Sequence, residues 1–226
     1  DFHTLIININ IIPVHTIFII YLGKKVERKW PSLIQLFVLS LSKSSNAFER
    51  GKIMSLIYVA RAMQDDIPAI GAIFEQAKAF LKASGSPQWQ VGYPNTDTVT
   101  QDLANHSAWV LKVNDQVAGY AAAIIGDDPN YQEIDGAWQN NTEPYAAIHR
   151  LALSQDYRGQ HLAKYFMSSL ISILNEQGIH NFRVDTHDLN QPMQHVATSN
   201  GFIRRGHINI LDEPNDPLRW AFELNL

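Results

Sequence analysis

Apolar residues repeat at helical spacing in four segments of the chain beyond residue 56. In the first segment Pro68 fits the first turn, and in the last Asn190 can cap the start while Gly201 follows the end. Gly178 is a natural end for the third and longest segment, whose apolar residues form one stripe. The spacing therefore predicts helices at about 67–84, 96–103, 162–178 and 190–201, with Thr96 or Asp97 as the cap of the second.

Short apolar runs between these segments predict β-strands. Asn114 and Asp115 form a turn between two such runs, which indicates a hairpin of 109–113 with 116–125. The run at 146–153 is almost continuously apolar, as is typical of a strand that is buried on both faces. Further runs lie at 182–185, 204–210 and 218–224. The order of elements indicates a mixed α/β fold with a parallel pair of strands at its centre.

A polar segment, residues 126–144, separates the hairpin from the apolar run at 146–153. Its aromatic residues, Tyr131 and Trp138, lie among acidic ones. Two interpretations stand: a solvated surface loop, or an acidic rim over a site that binds an amine. The acidic residues are Asp127, Asp128, Glu133, Asp135 and Glu143.

The first 53 residues differ in charge from the rest, with a net of +4 against −8 for residues 54–226. Residues 5–22 are apolar, but Asn8 and Pro13 interrupt them, and a spanning helix needs about 20 mostly apolar residues. A membrane anchor here is the alternative that we do not favour. The codons for Glu49 to Gly51 could be purine-rich, like a bacterial ribosome-binding site, and Met54 would then be the true start of translation. We therefore expect residues 1–53 to be a non-native or upstream-translated extension and residues 54–226 to be the functional domain.

Composition and charge exclude several classes of function. The chain has no cysteine, which excludes a disulfide framework, a thiolate zinc site and a cysteine nucleophile, and which agrees with a cytoplasmic location. The nine histidines lack the spacing of metal ligands, so we predict no metal site. An acidic domain is poorly suited to nucleic acid, whose phosphates require Lys and Arg. It is better suited to a cationic substrate such as an amine.

Residues 151–163, L-A-L-S-Q-D-Y-R-G-Q-H-L-A, carry the most specific signal in the sequence. They join the predicted buried strand to the longest helix through a polar turn. A helix start presents unpaired amides and the positive end of the helix dipole. Gly159 allows a phosphate to approach the backbone closely. The segment therefore predicts an anion site.

This segment resembles the signature of the GNAT acetyltransferase superfamily, R/Q-x-x-G-x-G/A after a strand that often ends L-A-V. Arg158 and Ala163 match the signature, and His161 replaces its middle glycine. The resemblance covers about residues 57–226.

The chain also resembles a second GNAT motif, which reads N-x-x-A, then a tyrosine, then G-F. Asn190 and Gly201-Phe202 keep its spacing, while Met193 takes the alanine position and Ala197 takes the position of the usual tyrosine acid. His161 and Ala197 motivate a competing hypothesis, a non-catalytic acyl-CoA-binding module.

The resemblance implies the GNAT acyl-CoA N-acyltransferase fold, an α/β fold. In that fold a mixed, mostly antiparallel sheet has a splayed central pair of parallel strands and flanking helices. It implies acetyl-CoA as co-substrate, with its pantetheine arm paired to the backbone of Leu151 and Leu153. Asn190 would lie near the pantetheine or serve only as a helix cap. The pyrophosphate would lie on the amides of Arg158, Gly159, Gln160, His161, Leu162 and Ala163.

The implied reaction is direct transfer of the acetyl group to a primary amine of a small molecule or peptide. His149 is the first candidate for general base, because it resembles one of two histidines of arylalkylamine acetyltransferases; a buried structural histidine is the alternative. His187 could face the same cleft, and Tyr145 could replace the missing tyrosine. We expect Arg150 and Asp185 to pair across adjacent strands as a structural contact.

Trp89 and Tyr93, in the segment between the first two helices, either line the acceptor pocket or pack against the sheet. The expected partners are thus acetyl-CoA and an amine, with no nucleic acid and no membrane. A homodimer through strand edges is also compatible with the resemblance.

Overall fold

The computed structural model describes residues 55–226. The two interpretations of residues 1–53, an upstream-translated extension and a membrane anchor, fall outside the described residues. Among residues 55–226, none of the helices has the length and apolar character needed to cross a membrane.

Eight strands of the described region form a single sheet in the order β1-β2-β3-β5-β6-β8-β7-β4. Only β5 and β6 are parallel, and the other neighbours are antiparallel. The predicted mixed sheet with a central parallel pair is therefore confirmed. The strands are β1 (Ile57–Arg61), β2 (Ala108–Val113), β3 (Gln116–Ile125), β4 (Asp135–Gly136), β5 (Tyr145–Leu153), β6 (Asn181–Thr186), β7 (Ile203–Asn209) and β8 (Leu218–Asn225).

The four predicted helices are present as α1 (Ile67–Ala83), α2 (Thr96–Ala104), α3 (Leu162–Asn175) and α4 (Gln191–Ser199). Asn190 caps α4 as expected, since its side chain accepts a hydrogen bond from the amide of Met193. The cap of α2 is Asn95, not Thr96 or Asp97, because the Asn95 side chain accepts from the amide of Thr98 at 3.0 Å.

Two apolar cores lie on the two faces of the sheet. Strand β2 shows how the sequence builds both, because alternate side chains of a strand point to opposite faces. Trp109 and Leu111 join the core that contains the α3 residues Phe166 and Leu170, whereas Val110 joins the core that contains Phe74 of α1. The sheet is therefore covered on both faces, as the continuous apolar runs predict.

The polar segment 126–144 is not simply a solvated loop. Tyr131 and Trp138 are 2% and 7% exposed and form a third apolar cluster with Tyr145. The segment also contains the two-residue strand β4, which the sequence pattern did not predict. Its Gly136 lies so close to β7 that an added Cβ would be 2.2 Å from the carbonyl oxygen of Arg205. The segment is thereby fixed beside the C-terminal half of the sheet.

Candidate active site

Strands β5 and β6 pair only over their first three residues, Tyr145 to Ala147 with Asn181 to Arg183. Beyond Ala147 the two strands diverge. A β-bulge in β5 follows, because Ala122 pairs with His149 and Tyr120 pairs with Ala152, so that Arg150 and Leu151 together face one residue of β3. Arg150 takes up this bulge with a left-handed φ of 57°.

A cavity of about 780 Å³ opens where the strands diverge. The structure brings most of the predicted site residues together in its wall, although they come from four separate stretches of sequence. Tyr145, Gln160 and His187 are not part of that wall. The predicted residues that line it are Trp89, Tyr93, His149, Leu151, Leu153, Arg158, Gly159, His161, Leu162, Ala163 and Asn190.

The turn before α3 lies at one end of the cavity. Of the predicted amides, that of Arg158 already donates to the carbonyl oxygen of Gln155 at 3.3 Å, which contradicts a role in holding the pyrophosphate. Within the described residues, the amides of residues 159–164 make no hydrogen bond to another main-chain group. Gly159 and His161 both have left-handed backbones, with φ of 75° and 58°, which turns the chain sharply into the helix. The free amides and the helix dipole together fit a phosphate group.

Asn190 fits both roles that the sequence left open. Its side chain caps α4, and its Nδ2 also donates to Oε1 of Gln88 at 3.2 Å while the residue lines the cavity.

His149 lies at the point where β5 leaves β6, and two carboxylates flank its ring. Its Nε2 is 2.8 Å from Oδ2 of Asp128, and its Nδ1 is 3.8 Å from Oδ1 of Asp185. The Asp185 oxygen also accepts a hydrogen bond of 2.8 Å from the hydroxyl of Tyr131. The histidine is therefore held on one nitrogen and close to a carboxylate on the other.

The polar loop holds Asp128 in place. Its Oδ1 accepts from the amide and side chain of Asn130 at 2.9 and 3.0 Å. Burial alone would raise the pKa of Asp128, but the hydrogen bonds from His149 and Asn130 outweigh it and hold the pKa below its ordinary value. Asp128 is therefore ionised near neutral pH. The Tyr145 hydroxyl accepts a hydrogen bond of 2.7 Å from the amide of Asp128, so it supports this loop from outside the cavity.

His187 is bound within the β6–α4 and β7–β8 connections. Its Nδ1 accepts a hydrogen bond of 3.1 Å from the amide of Leu189 and lies 2.8 Å from a carboxylate oxygen of Asp188. Its Nε2 is 3.4 Å from Asp216. These contacts describe a residue that fixes two loops.

The expected pairing of Arg150 with Asp185 is wrong. Arg150 instead forms a bidentate contact with Asp102 of α2, at 3.0 Å from Nε and 2.6 Å from Nη2. The bulge in β5 directs the Arg150 side chain toward α2, while Asp185 lies beside His149 at 3.8 Å. Sequence reasoning thus missed the roles of Asp102 and Asp185. For Asp128 the acidic loop gave a signal, the rim interpretation, but did not single out that residue.

The sequence model of the Acetyltransferase (GNAT) family matches residues 74–202. The chain therefore belongs to the GNAT acetyltransferase family, and the fold that the sequence resemblance implied is confirmed.

Solved structures agree with this membership. A GNAT acetyltransferase of Streptococcus agalactiae is 32% identical, with a TM-score of 0.68 over 75% of this chain and 95% of its own. A ribosomal-protein-alanine N-acetyltransferase of Brucella melitensis (16% identity, TM-score 0.56, 75% and 99% coverage) shares the fold. So does yncA of Salmonella typhimurium, solved with its cofactor acetyl-CoA (16% identity, TM-score 0.54, 75% and 94% coverage). No curated protein matches the chain significantly.

The protein is thus an acetyltransferase with acetyl-CoA as its co-substrate. The described residues fit this co-substrate, because the cavity runs beside the unpaired edge of β5 and reaches the free amides at the start of α3. Within residues 55–226, no group of three His, Asp or Glu side chains is arranged to hold a metal ion.

Proposed function

We propose that this protein transfers the acetyl group of acetyl-CoA to a primary amine of a small molecule or peptide by direct attack. The observation that carries the proposal is His149, held by Asp128 in the cavity wall at the point where β5 and β6 separate. A base at this point lies beside the edge of β5 along which the co-substrate would bind.

The co-substrate would be held by backbone groups more than by side chains. The edge of β5 at Leu151 and Leu153 would pair with the pantetheine arm, and the amides of residues 161–164 would hold the pyrophosphate. When bound, acetyl-CoA supplies a thioester whose thiol leaves as the amine attacks.

His149 would remove the proton of the attacking amine. Because Asp128 is ionised, its oxygen can only accept, so the hydrogen of a neutral imidazole lies on Nε2. This leaves the lone pair on Nδ1, the nitrogen that faces Asp185 at 3.8 Å. Asp185 can then stabilise the imidazolium that forms. Such proton transfer contributes about 10²–10⁴-fold to the rate.

The charge of the cavity favours a cationic acceptor over an anionic one. Asp128 and Asp185 face His149, while the nearby guanidinium of Arg150 is already neutralised by Asp102. An ammonium group is attracted to this end of the cavity, and His149 can release the free amine for attack.

The lack of a tyrosine at position 197 does not contradict this mechanism. Ala197 is fully buried in the core against α3. Holding two substrates together can contribute roughly 7–11 kcal/mol, more than a single acid. A thiol leaving group with a pKa of about 8.5 departs without strong protonation.

The test uses the full chain with acetyl-CoA and a panel of primary amines, and follows CoA release and the mass of the acetylated product. We expect turnover with at least one amine and a marked loss in His149→Gln. The matched control is His180→Gln, since His180 is an exposed histidine before β6. Binding of acetyl-CoA without turnover of any amine would contradict the proposal and favour the non-catalytic module.

A further inference from the structure

Arg150 connects the reactive strand to the segment between α1 and α2. Its backbone lies in the bulge of β5 with φ of 57°, a conformation that is uncommon for a residue other than glycine. Its side chain lines the same cavity as His149 and reaches both Asp102 and Tyr93. A strained residue whose side chain is fixed at its far end suggests that its position matters for the site.

The Asp102 end of this connection is rigid. Besides two hydrogen bonds from Arg150, Asp102 accepts one of 2.6 Å from the hydroxyl of Tyr120, which is fully buried. The side chains of Arg150 and Asp102 are only 9% and 5% exposed. A buried ion pair is usually no more stabilising than well-packed apolar side chains of similar size. Stability alone therefore does not account for this pair.

The Tyr93 end of the connection reaches the cavity. Nη1 of Arg150 donates to the Tyr93 hydroxyl oxygen at 2.7 Å, and Tyr93 lines the cavity together with Trp89. Because the oxygen accepts from Arg150, the hydrogen of the hydroxyl is available to another group, and within residues 55–226 Tyr93 donates no hydrogen bond. Burial raises the pKa of Tyr93, which outweighs the opposing effect of Arg150, so the hydroxyl remains a donor at neutral pH.

We propose that Arg150 is a positioning residue that fixes the Tyr93 hydroxyl as a hydrogen-bond donor to the acceptor. The preferred acceptor is then a primary amine that also carries an uncharged oxygen, such as a hydroxyl or amide carbonyl, close to the amino group. A carboxylate in that place is disfavoured by Asp128 and Asp185. This inference rests on the proposed function and specifies its substrate class.

The test compares matched pairs of amines with the full chain: ethanolamine with propylamine, 3-aminopropanol with butylamine, and glycinamide with isobutylamine. The measured quantity is the ratio of kcat/KM for the oxygen-bearing amine to that for its alkyl partner. We expect the wild-type ratio to be about 10 or more, because a site donor left unpaired by the alkyl amine costs the equivalent of one hydrogen bond.

Variants separate the contribution of the Tyr93 hydroxyl from that of the Arg150 side chain and from that of the backbone at position 150. Tyr93→Phe should bring the ratio close to 1, mainly through KM. Arg150→Lys should keep part of the ratio because an ammonium can still donate. Arg150→Gly suits the left-handed backbone but should lose the ratio. The control Tyr165→Phe removes the hydroxyl of an exposed tyrosine on α3 and should leave the ratio unchanged.

Each alternative outcome contradicts the inference in a recognisable way. If the wild type acetylates amines without preference for oxygen, or if Tyr93→Phe keeps the ratio, Tyr93 does not contact the acceptor. If Tyr93→Phe weakens acetyl-CoA binding in calorimetry while the ratio persists, the hydroxyl serves the co-substrate. If Arg150→Gly lowers only the melting temperature, Arg150 is structural. A wild type that acetylates another primary amine but none of these probes overturns the inference alone, and one that acetylates no primary amine at all overturns the proposed function as well.

Discussion

His149 and Arg150 are adjacent in the sequence, but their environments differ. His149 has one nitrogen bound to Asp128 at 2.8 Å, and its other nitrogen is 3.8 Å from Asp185, beyond hydrogen-bond distance. Arg150 has donors on all three of its nitrogens engaged, by Asp102 and Tyr93. Both side chains contact carboxylates, but only the histidine keeps an atom free for chemistry.

This difference shows how a strand can supply a reactive group and its support from consecutive residues. Because the bulge at Arg150 interrupts the regular alternation of side chains along β5, His149 contacts the polar loop while Arg150 reaches α2. The reactive side chain is held at one end only, and the supporting side chain is held throughout. The following predictions alter one side of this comparison at a time.

The largest expected effect comes from removing the free nitrogen of the pair. His149→Gln should lower kcat by about 10²–10⁴-fold, because a glutamine amide cannot take the proton of the amine. Affinity for acetyl-CoA should change little, since the backbone holds it. Steady-state kinetics and calorimetry measure the two quantities. A kcat within twofold of wild type would remove His149 from the mechanism.

Removing the carboxylate from the Arg150 side should affect stability most. Asp102→Ala leaves a buried guanidinium without its counter-charge, which costs about 3–5 kcal/mol of the free energy of unfolding. Urea denaturation measures this loss. Asp97→Ala, an exposed residue in the same helix, is the control and should cost less than about 1 kcal/mol. Equal losses in both variants would mean that the Arg150 contact is not stabilising.

Removing the charge from the His149 side should affect activity more than stability. Asp128→Asn keeps the shape of the side chain but not its ionised acceptor, which fixes the hydrogen on Nε2. We expect kcat to fall by about 10–100-fold, the range that corresponds to a hydrogen bond with a charged group. A drop as large as that of His149→Gln would instead indicate that Asp128 itself takes the proton.

The smallest expected effect concerns acid stability. The pKa of Asp128 is lowered in the folded protein, so its carboxylate contributes stability above its unfolded pKa of about 3.9. That contribution is lost as the pH falls through the lower folded value. Wild type and Asp128→Asn should therefore differ in urea stability at pH 7 and converge toward pH 2. If the difference in the free energy of unfolding between the two proteins stayed constant from pH 7 to pH 2, the Asp128 carboxylate would not be the source of this pH-dependent stability.

The local elements could be predicted from the sequence because local rules produce them. Strand β3 matches its predicted range, Gln116–Ile125, and Asn190 caps α4 as expected. The backbone turn at Gly159 was likewise recognisable from residue type and position. These features depend on residues within a few positions of one another.

Contacts between distant residues could not be predicted in the same way. Asp128 and His149 are 21 positions apart, and the loop between them is shaped by the burial of Tyr131 and Trp138. The bulge at Arg150 depends on its register with β3, which no pattern within β5 reveals. The β4 pairing requires close approach of two glycines 70 positions apart, Gly136 and Gly206.

The short seam between β5 and β6 has a mechanical consequence. Only three residue pairs join the four-stranded half β1-β2-β3-β5 to the four-stranded half β6-β8-β7-β4. Apart from these pairs, the apolar core around α3 connects the two halves. A small rotation of one half against the other would therefore change the width of the cleft without breaking any antiparallel pairing. His149 lies in one half of the sheet and Asp185 in the other, so such a rotation would lengthen or shorten the distance between the base and the carboxylate.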